Sequence, residues 1–260
     1  MLTLSQIKNY LPDLDRPEYD KFVLVEYLQC EILDSMFKQK LSEKISFIGG
    51  TAIRIVHGNS RFSEDLDFDN FGLSFADFDK IIANTSQDLQ DKGFETEFRI
   101  IEKGAYHCFL KFPKILYNLK LSPLIDQKIL VKIDMTEQKA LAKANVYHLD
   151  KFGISTDIIT NPADILLSQK LIAAIERKTP KGRDFFDISF LYSLERPNYD
   201  YIKIKTQLNE HEFIKHFKQT ISNYNFSSLG KDVAPFLIRA DQVERVTRFP
   251  ELFEQMATSE

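Results

Sequence analysis

The chain has 260 residues, 43% hydrophobic and 28% charged, with nine glycines, nine prolines and a net charge of −4. This is the composition of a soluble globular protein of one large or two moderate domains. It gives no global basic field that would advertise nucleic acid, though an acidic catalytic cleft can coexist with a local basic rim. No apolar run is long enough to span a bilayer, no leader-like segment opens the chain, and no membrane association is expected. The two cysteines, Cys30 and Cys108, sit in no metal-binding spacing, so a reduced, cytoplasmic compartment is expected.

In chain order, the first elements read as helical. "KFVLVEYLQCEILDSMFKQKL" places Phe22, Val25, Leu28, Ile32, Leu33, Met36 and Phe37 on the stripe of a core-facing helix. "KISFIGG" is a short strand stopped by two glycines. "TAIRIVHG" predicts a short helix with Thr51 as N-cap and Gly58 at its end. "RFSEDLDFD" is the next strand, and an amphipathic helix capped by Ser74 follows. Three more strands are expected in "FETEFRIIEKG", "AYHCFLKFPKIL" and "QKILVKIDMTE". From Asn161 onward the chain reads as helix after helix to Glu260. The clearest, residues 161–178, has Asn161 as cap, Pro162 at its first position and Asp164 in its first turn. The expected division is residues 1–155, a mixed α+β part, and residues 156–260, a helical part. No internal repeat or low-complexity segment interrupts it.

Asp65, Asp67 and Asp69 alternate with Leu66 and Phe68, so on a strand the three carboxylates share one face. Two such charges about 4 Å apart repel by roughly 4 kcal/mol at an effective dielectric near 20. Hard oxygen donors so placed suit Mg²⁺, with room left for phosphate oxygens. Just upstream, Gly49 and Gly50 lead into a helix whose N-terminus offers unpaired N–H groups to a phosphate, and glycine lets that phosphate approach closely. Asp134, an acid on a neighbouring apolar strand, completes the cluster. Asp69 is expected at its rim, while Ser63 and Glu64 have a plain reading as strand-edge polar residues. Arg54 and Arg61 have two readings, pairing with local acids or touching a ligand. His57, His107 and His148 read as ordinary, partly buried residues.

The string "IGGTAIRIVHGNSRFSEDLDF" resembles the signature of the polymerase-β-type nucleotidyltransferases, and more closely their AbiEii/AbiGii-type toxin branch. The resemblance extends to Asp134 in "VKIDMT", Lys170 in "LLSQKLIAAIERK" and Arg183, Asp184 and Asp187 in "KGRDFFDI". These four motifs fall in the family's order between Gly49 and Asp187. The interval from Gly50 to Asp65 is slightly long for the wider superfamily. The resemblance implies a small mixed sheet flanked by helices, followed by a helical C-terminal domain. It implies transfer of a nucleoside monophosphate from an NTP to an acceptor, with two Mg²⁺ ions when the NTP is bound. Asp65 and Asp67 would hold the metals, and Asp134 would bind one of them and help deprotonate the attacking hydroxyl. Gly49, Gly50, Thr51, Ser63, Lys170 and Arg183 would contact the nucleotide, with Asp184 and Asp187 orienting Lys170 or the metals.

The acceptor implied is an RNA 3′ end such as tRNA, or a protein hydroxyl, and a cognate antitoxin is an implied partner. The basic residues Lys170, Arg177, Lys178, Lys181 and Arg183 fit contact with phosphate backbone or with solvent equally well. Two alternatives stand beside this reading. One is a small-molecule nucleotidyltransferase of the aminoglycoside-modifying type, and the other a non-catalytic nucleotide- or antitoxin-binding module. A haloacid-dehalogenase-like phosphatase also uses Asp-x-Asp, but it has Thr or Val where Asp69 stands and needs no upstream Gly-Gly helix.

Overall fold

Thr3 caps the first helix, α1 (Leu4–Asn9), in a reciprocal box with Gln6. The second, α2 (Asp20–Phe37), departs from the expected one-sided stripe, because every position from Val23 to Met36 is buried. A helix buried on all sides is a central element of its core. Its acids are therefore paired: Glu26 with Lys151, and Glu31 and Asp34 with Lys92 at 3.2 and 3.0 Å. The computed structural model describes residues 1–138 and 144–258. Residues 139–143, and the last two residues of the tail expected to be helical, lie outside the described residues.

The chain continues through β1 (Ile45–Ile48), α3 (Gly49–His57), β2 (Leu66–Asn70) and α4 (Phe75–Asp91), whose Ser74 cap accepts from Asp77 N at 3.1 Å. Next come β3 (Glu97–Glu102), β4 (Tyr106–Phe112), α5 (Ile115–Asn118), β5 (Ile129–Glu137), β6 (Asn145–Lys151) and β7 (Ile154–Thr160). The seven strands form one mixed sheet in the order β3-β4-β5-β2-β1-β7-β6. β2 runs parallel to β5 and β1 parallel to β7, and the other neighbours are antiparallel. Alternation sets the two faces of β5, with Ile129, Val131, Ile133 and Met135 buried and Leu130, Lys132 and Asp134 on the other side. The β6–β7 hairpin is absent from the expected strands. It turns at Phe152 and Gly153, both with positive φ, 57° and 76°.

Residue contacts divide the chain into two compact units, Met1–Ala52 with Ser63–Thr160, and Ile53–Phe62 with Asn161–Glu260. The sequence division at 155/156 keeps residues 53–62 with the sheet. In the structure this segment hydrogen-bonds within the helical unit: Phe62 N donates to Phe236 O at 2.8 Å and Ile238 N to Ser60 O at 3.3 Å.

The helical unit contains α6 (Ala163–Glu176), α7 (Gly182–Leu191), α8 (Tyr199–Thr206), α9 (Glu210–Ile221), α10 (Phe226–Val233), α11 (Glu244–Thr247) and α12 (Phe249–Thr258). α6 starts one residue later than the sequence pattern predicts, with Pro162 rather than Asn161 at the N-cap, and Arg177 closes it as C-cap. Its core is aromatic: Phe185 meets Phe249 and Phe226 edge-on at 4.9 and 5.1 Å, and Phe217 meets Phe253 at 4.6 Å. At the start of α7, a Cβ on Gly182 would fall 2.0 Å from the Leu229 carbonyl oxygen of α10. That neighbour is backbone and cannot rotate away. Gly182→Ala is therefore expected to destabilise the protein by about 1–3 kcal/mol in urea titration. An unchanged midpoint would mean that the two helices separate at no cost.

Candidate active site

In the sheet unit, the aspartate segment begins before its strand, since Asp65 precedes β2 and only Asp67 and Asp69 lie within it. Asp65 is fixed by its backbone, where Thr51 Oγ1 donates to the Asp65 carbonyl at 2.5 Å. Thr51 is thus not the N-cap that the sequence pattern predicts. α3 begins two residues earlier, at Gly49, and Thr51 lies inside it, 1% exposed. Its hydroxyl is committed to placing the aspartate segment. Gly49 has a second reason to be glycine besides close approach of a phosphate. Its φ is +78°, and a Cβ there would lie 2.2 Å from Asp67 Oδ2 and 2.8 Å from Asp67 Cβ. The Asp67 carboxylate is seated against the Gly49 backbone.

Register brings the acids of two strands together. Asp67 on β2 is the direct partner of Asp134 on parallel β5, so both stand on one face, with strand spacing about 4.8 Å. Asp69 pairs in register with Ser46 and Thr136 and is 2% exposed. It lies buried on the same face of β2 as Asp67, two residues further along. Ser63 is half-buried. Its carbonyl accepts from Gln29 Nε2 at 3.0 Å, while its hydroxyl has no partner among the described residues.

Two residues that the sequence reading did not assign engage Asp134. His107 Nδ1 donates to Oδ1 at 2.7 Å and Lys132 Nζ to Oδ2 at 2.5 Å. His107 is the register partner of Asp134 across the β4–β5 pair, and Lys132 precedes it by two residues on the same face. Among the described residues, no group of three or more His, Cys, Asp or Glu side chains is arranged to hold a metal ion. The carboxylate oxygens of Asp67 and Asp134, side by side in register, have the chemistry that a hard divalent cation prefers. His148 is exposed, paired with Asp157 at 2.7 Å, and not partly buried as expected. His57 is half-buried, and burial holds its pKa below the ordinary histidine value.

In the helical unit the sequence-predicted residues form a buried ionic network. Lys170 of α6 meets Asp187 at 2.9 Å and Asp184 at 3.2 Å, both on α7, and Arg177 Nε meets Asp184 at 2.9 Å. Asp187 is wholly buried. Its Oδ1 accepts from Arg61 Nε at 2.7 Å and Asn59 Nδ2 at 2.8 Å, and its Oδ2 from Arg61 Nη2 at 2.5 Å. Arg61, itself 2% exposed, pairs with an acid far along the chain and not with a local one. Burial would lower the Lys170 pKa, but Asp187 and Asp184 outweigh it and hold it above the usual lysine value. Burial would likewise raise Asp187, yet Arg61 and Lys170 hold its carboxyl below the usual range. Both ends of the pair are therefore charged at neutral pH. Arg183 lies over the Phe236 ring at 4.8 Å. Two of the cations given a phosphate-backbone reading, Lys170 and Arg177, are thus neutralised within their own unit.

The sequence matches the family model described as nucleotidyl transferase AbiEii toxin, type IV TA system, over residues 31–255, and the chain belongs to that family. No curated relative matches it. Its fold is similar to MenT4, a nucleotidyltransferase toxin from Mycobacterium tuberculosis, at 13% identity and a TM-score of 0.61, covering 100% of this chain and 91% of that one. It is also similar to JHP933 from Helicobacter pylori, at 16% identity and a TM-score of 0.58, covering 91% and 94%. Among the described residues no helix is long and apolar enough to cross a membrane.

Proposed function

We propose that the protein transfers a nucleoside monophosphate from an NTP to an RNA 3′ end in a Mg²⁺-dependent reaction. In the transfer, the bond from the α-phosphorus to the bridging oxygen breaks and pyrophosphate leaves. A new bond forms from the acceptor hydroxyl oxygen to that phosphorus. The observation that carries the reading is the β2–β5 register, which sets Asp67 beside Asp134 on one sheet face. Asp65, Asp67 and Asp134 are the residues assigned to hold Mg²⁺. When bound, the ion supplies neutralisation of phosphate charge. Asp134 is further assigned to take the proton of the acceptor hydroxyl. Gly49, Gly50 and Ser63 are assigned to the triphosphate, Thr51 to placing Asp65, and Lys170 to meeting phosphate charge as a preformed cation. Arg183 is likewise assigned to the nucleotide, and Asp184 and Asp187 to orienting the Lys170 cation. A cognate antitoxin protein is the partner that family membership suggests.

Each α-labelled NTP is to be incubated with the protein and total RNA, with and without Mg²⁺. The expected result is label in RNA from at least one NTP, abolished by chelation. Label in protein would move the acceptor to a protein hydroxyl. No incorporation into any polymer, with every NTP intact, would overturn the reading.

A further inference from the structure

Asp134 is the acid given two tasks above, yet the sheet itself engages both of its oxygens. His107 Nδ1 holds Oδ1 and Lys132 Nζ holds Oδ2, at 2.7 and 2.5 Å. The Lys132 and Asp134 side chains are 33% and 24% exposed, so this pair meets solvent and is not locked in a core. A lysine ammonium is a compact charge on a flexible four-carbon stem that can leave one oxygen for another partner. A divalent cation seeks that same oxygen, because carboxylate is the hard donor it prefers. Asp67 stands next in register, so a positive charge at Asp134 also relieves repulsion across the β2–β5 pair. The histidine differs from the lysine in geometry. It sits opposite Asp134 in the β4–β5 ladder, on a short planar side chain, and holds the oxygen that Lys132 does not.

We propose that Lys132 is a resident counter-ion that occupies Asp134 until a divalent cation displaces it, with His107 as the positioning residue that keeps the carboxylate in place through the exchange. This rests on the nucleotidyltransferase reading above, in which Asp134 is a metal ligand. An ordinary surface salt bridge would leave metal affinity where it is. A displaced counter-ion must raise that affinity when it is removed.

The test is titration of Mn²⁺ into the full chain without nucleotide, with free Mn²⁺ read by electron paramagnetic resonance. Lys132→Met keeps the apolar stem and removes the charge, and it is expected to bind Mn²⁺ about tenfold more tightly. Lys132→Gln should shift affinity in the same direction, which guards against an effect peculiar to methionine. His107→Ala is expected to bind about tenfold more weakly, the usual scale for residues that orient metal ligands, with His107→Gln recovering part of the loss. Equal or weaker Mn²⁺ binding by both lysine variants would overturn the proposal. Asp134→Asn separates the two ideas. If the parent binds Mn²⁺ and Asp134→Asn does not, the metal reading stands even where the lysine proposal has failed. A parent protein that binds no Mn²⁺ either alone or with a non-hydrolysable NTP analogue overturns both.

Discussion

Asp67→Asn is expected to abolish nucleotide transfer and to leave the thermal midpoint unchanged or slightly higher. The carboxylate is one of two that face each other across β2 and β5, so removing its charge relieves repulsion in the folded state. Asparagine keeps the shape that rests against Gly49. A metal's stabilisation of phosphoryl charge is worth several kcal/mol, and about 1.4 kcal/mol is a factor of ten, so a loss of about a thousandfold is expected. Melting and incorporation of label, measured on the same preparation, check this. If the variant unfolds, Asp67 is a structural residue and the assignment fails. If it folds and retains its rate, the metal ligands lie elsewhere.

The second large effect is on stability. Asp187→Ala removes the acid on which Arg61, Asn59 and Lys170 converge, leaving a 2% exposed guanidinium without its carboxylate. Breaking a buried pair from one side costs about 3–5 kcal/mol, which is a large share of the stability of a typical domain. Urea unfolding should register it directly. The parent protein should show the same dependence against pH. A carboxyl held below its unfolded value contributes stability that is present above about pH 4 and lost as pH falls through its folded value. The Asp187→Ala variant should lack that acid-side loss. A midpoint in urea within experimental error of the parent would show that the network carries no net stability. These contacts also bear on the role of Asp187. With no exposed surface and both oxygens taken, Asp187 is placed to hold Lys170.

What could be read in advance follows from how far each interaction reaches along the chain. The Gly-Gly turn, the alternating acids, the Ser74 cap and the apolar alternation of β5 are local, and periodicity or turn chemistry reveals them. Thr51 has the chemistry of a cap, but its hydroxyl donates to Asp65 O and α3 begins earlier, at Gly49. The β6–β7 hairpin is not among the expected strands, although Ile154, Thr156, Ile158 and Thr160 alternate as buried positions. His107 could not be recognised as a partner of Asp134, because cross-strand register depends on a long connection between β4 and β5 whose path the sequence does not show. Arg61 and Asp187 are 126 positions apart, and only the fold brings them together.

The short stretch from Ile53 to Phe62 also governs how this protein can be cut and how it emerges during synthesis. It belongs to the helical unit, although it is made about a hundred residues before the rest of that unit. A fragment beginning at Asn161 would keep Asp187 buried without Arg61 and Asn59, and would leave the Phe236 carbonyl without the Phe62 amide. Such a fragment should be far less stable than the same residues in the full chain. The same holds on the ribosome. A nascent chain that has reached only the sheet has already exposed Arg61 and Phe62, two side chains that are 2% and 1% accessible at the end. They must wait for the C-terminal helices, so the segment from Asn161 onward completes a structure whose first piece was laid down near the beginning.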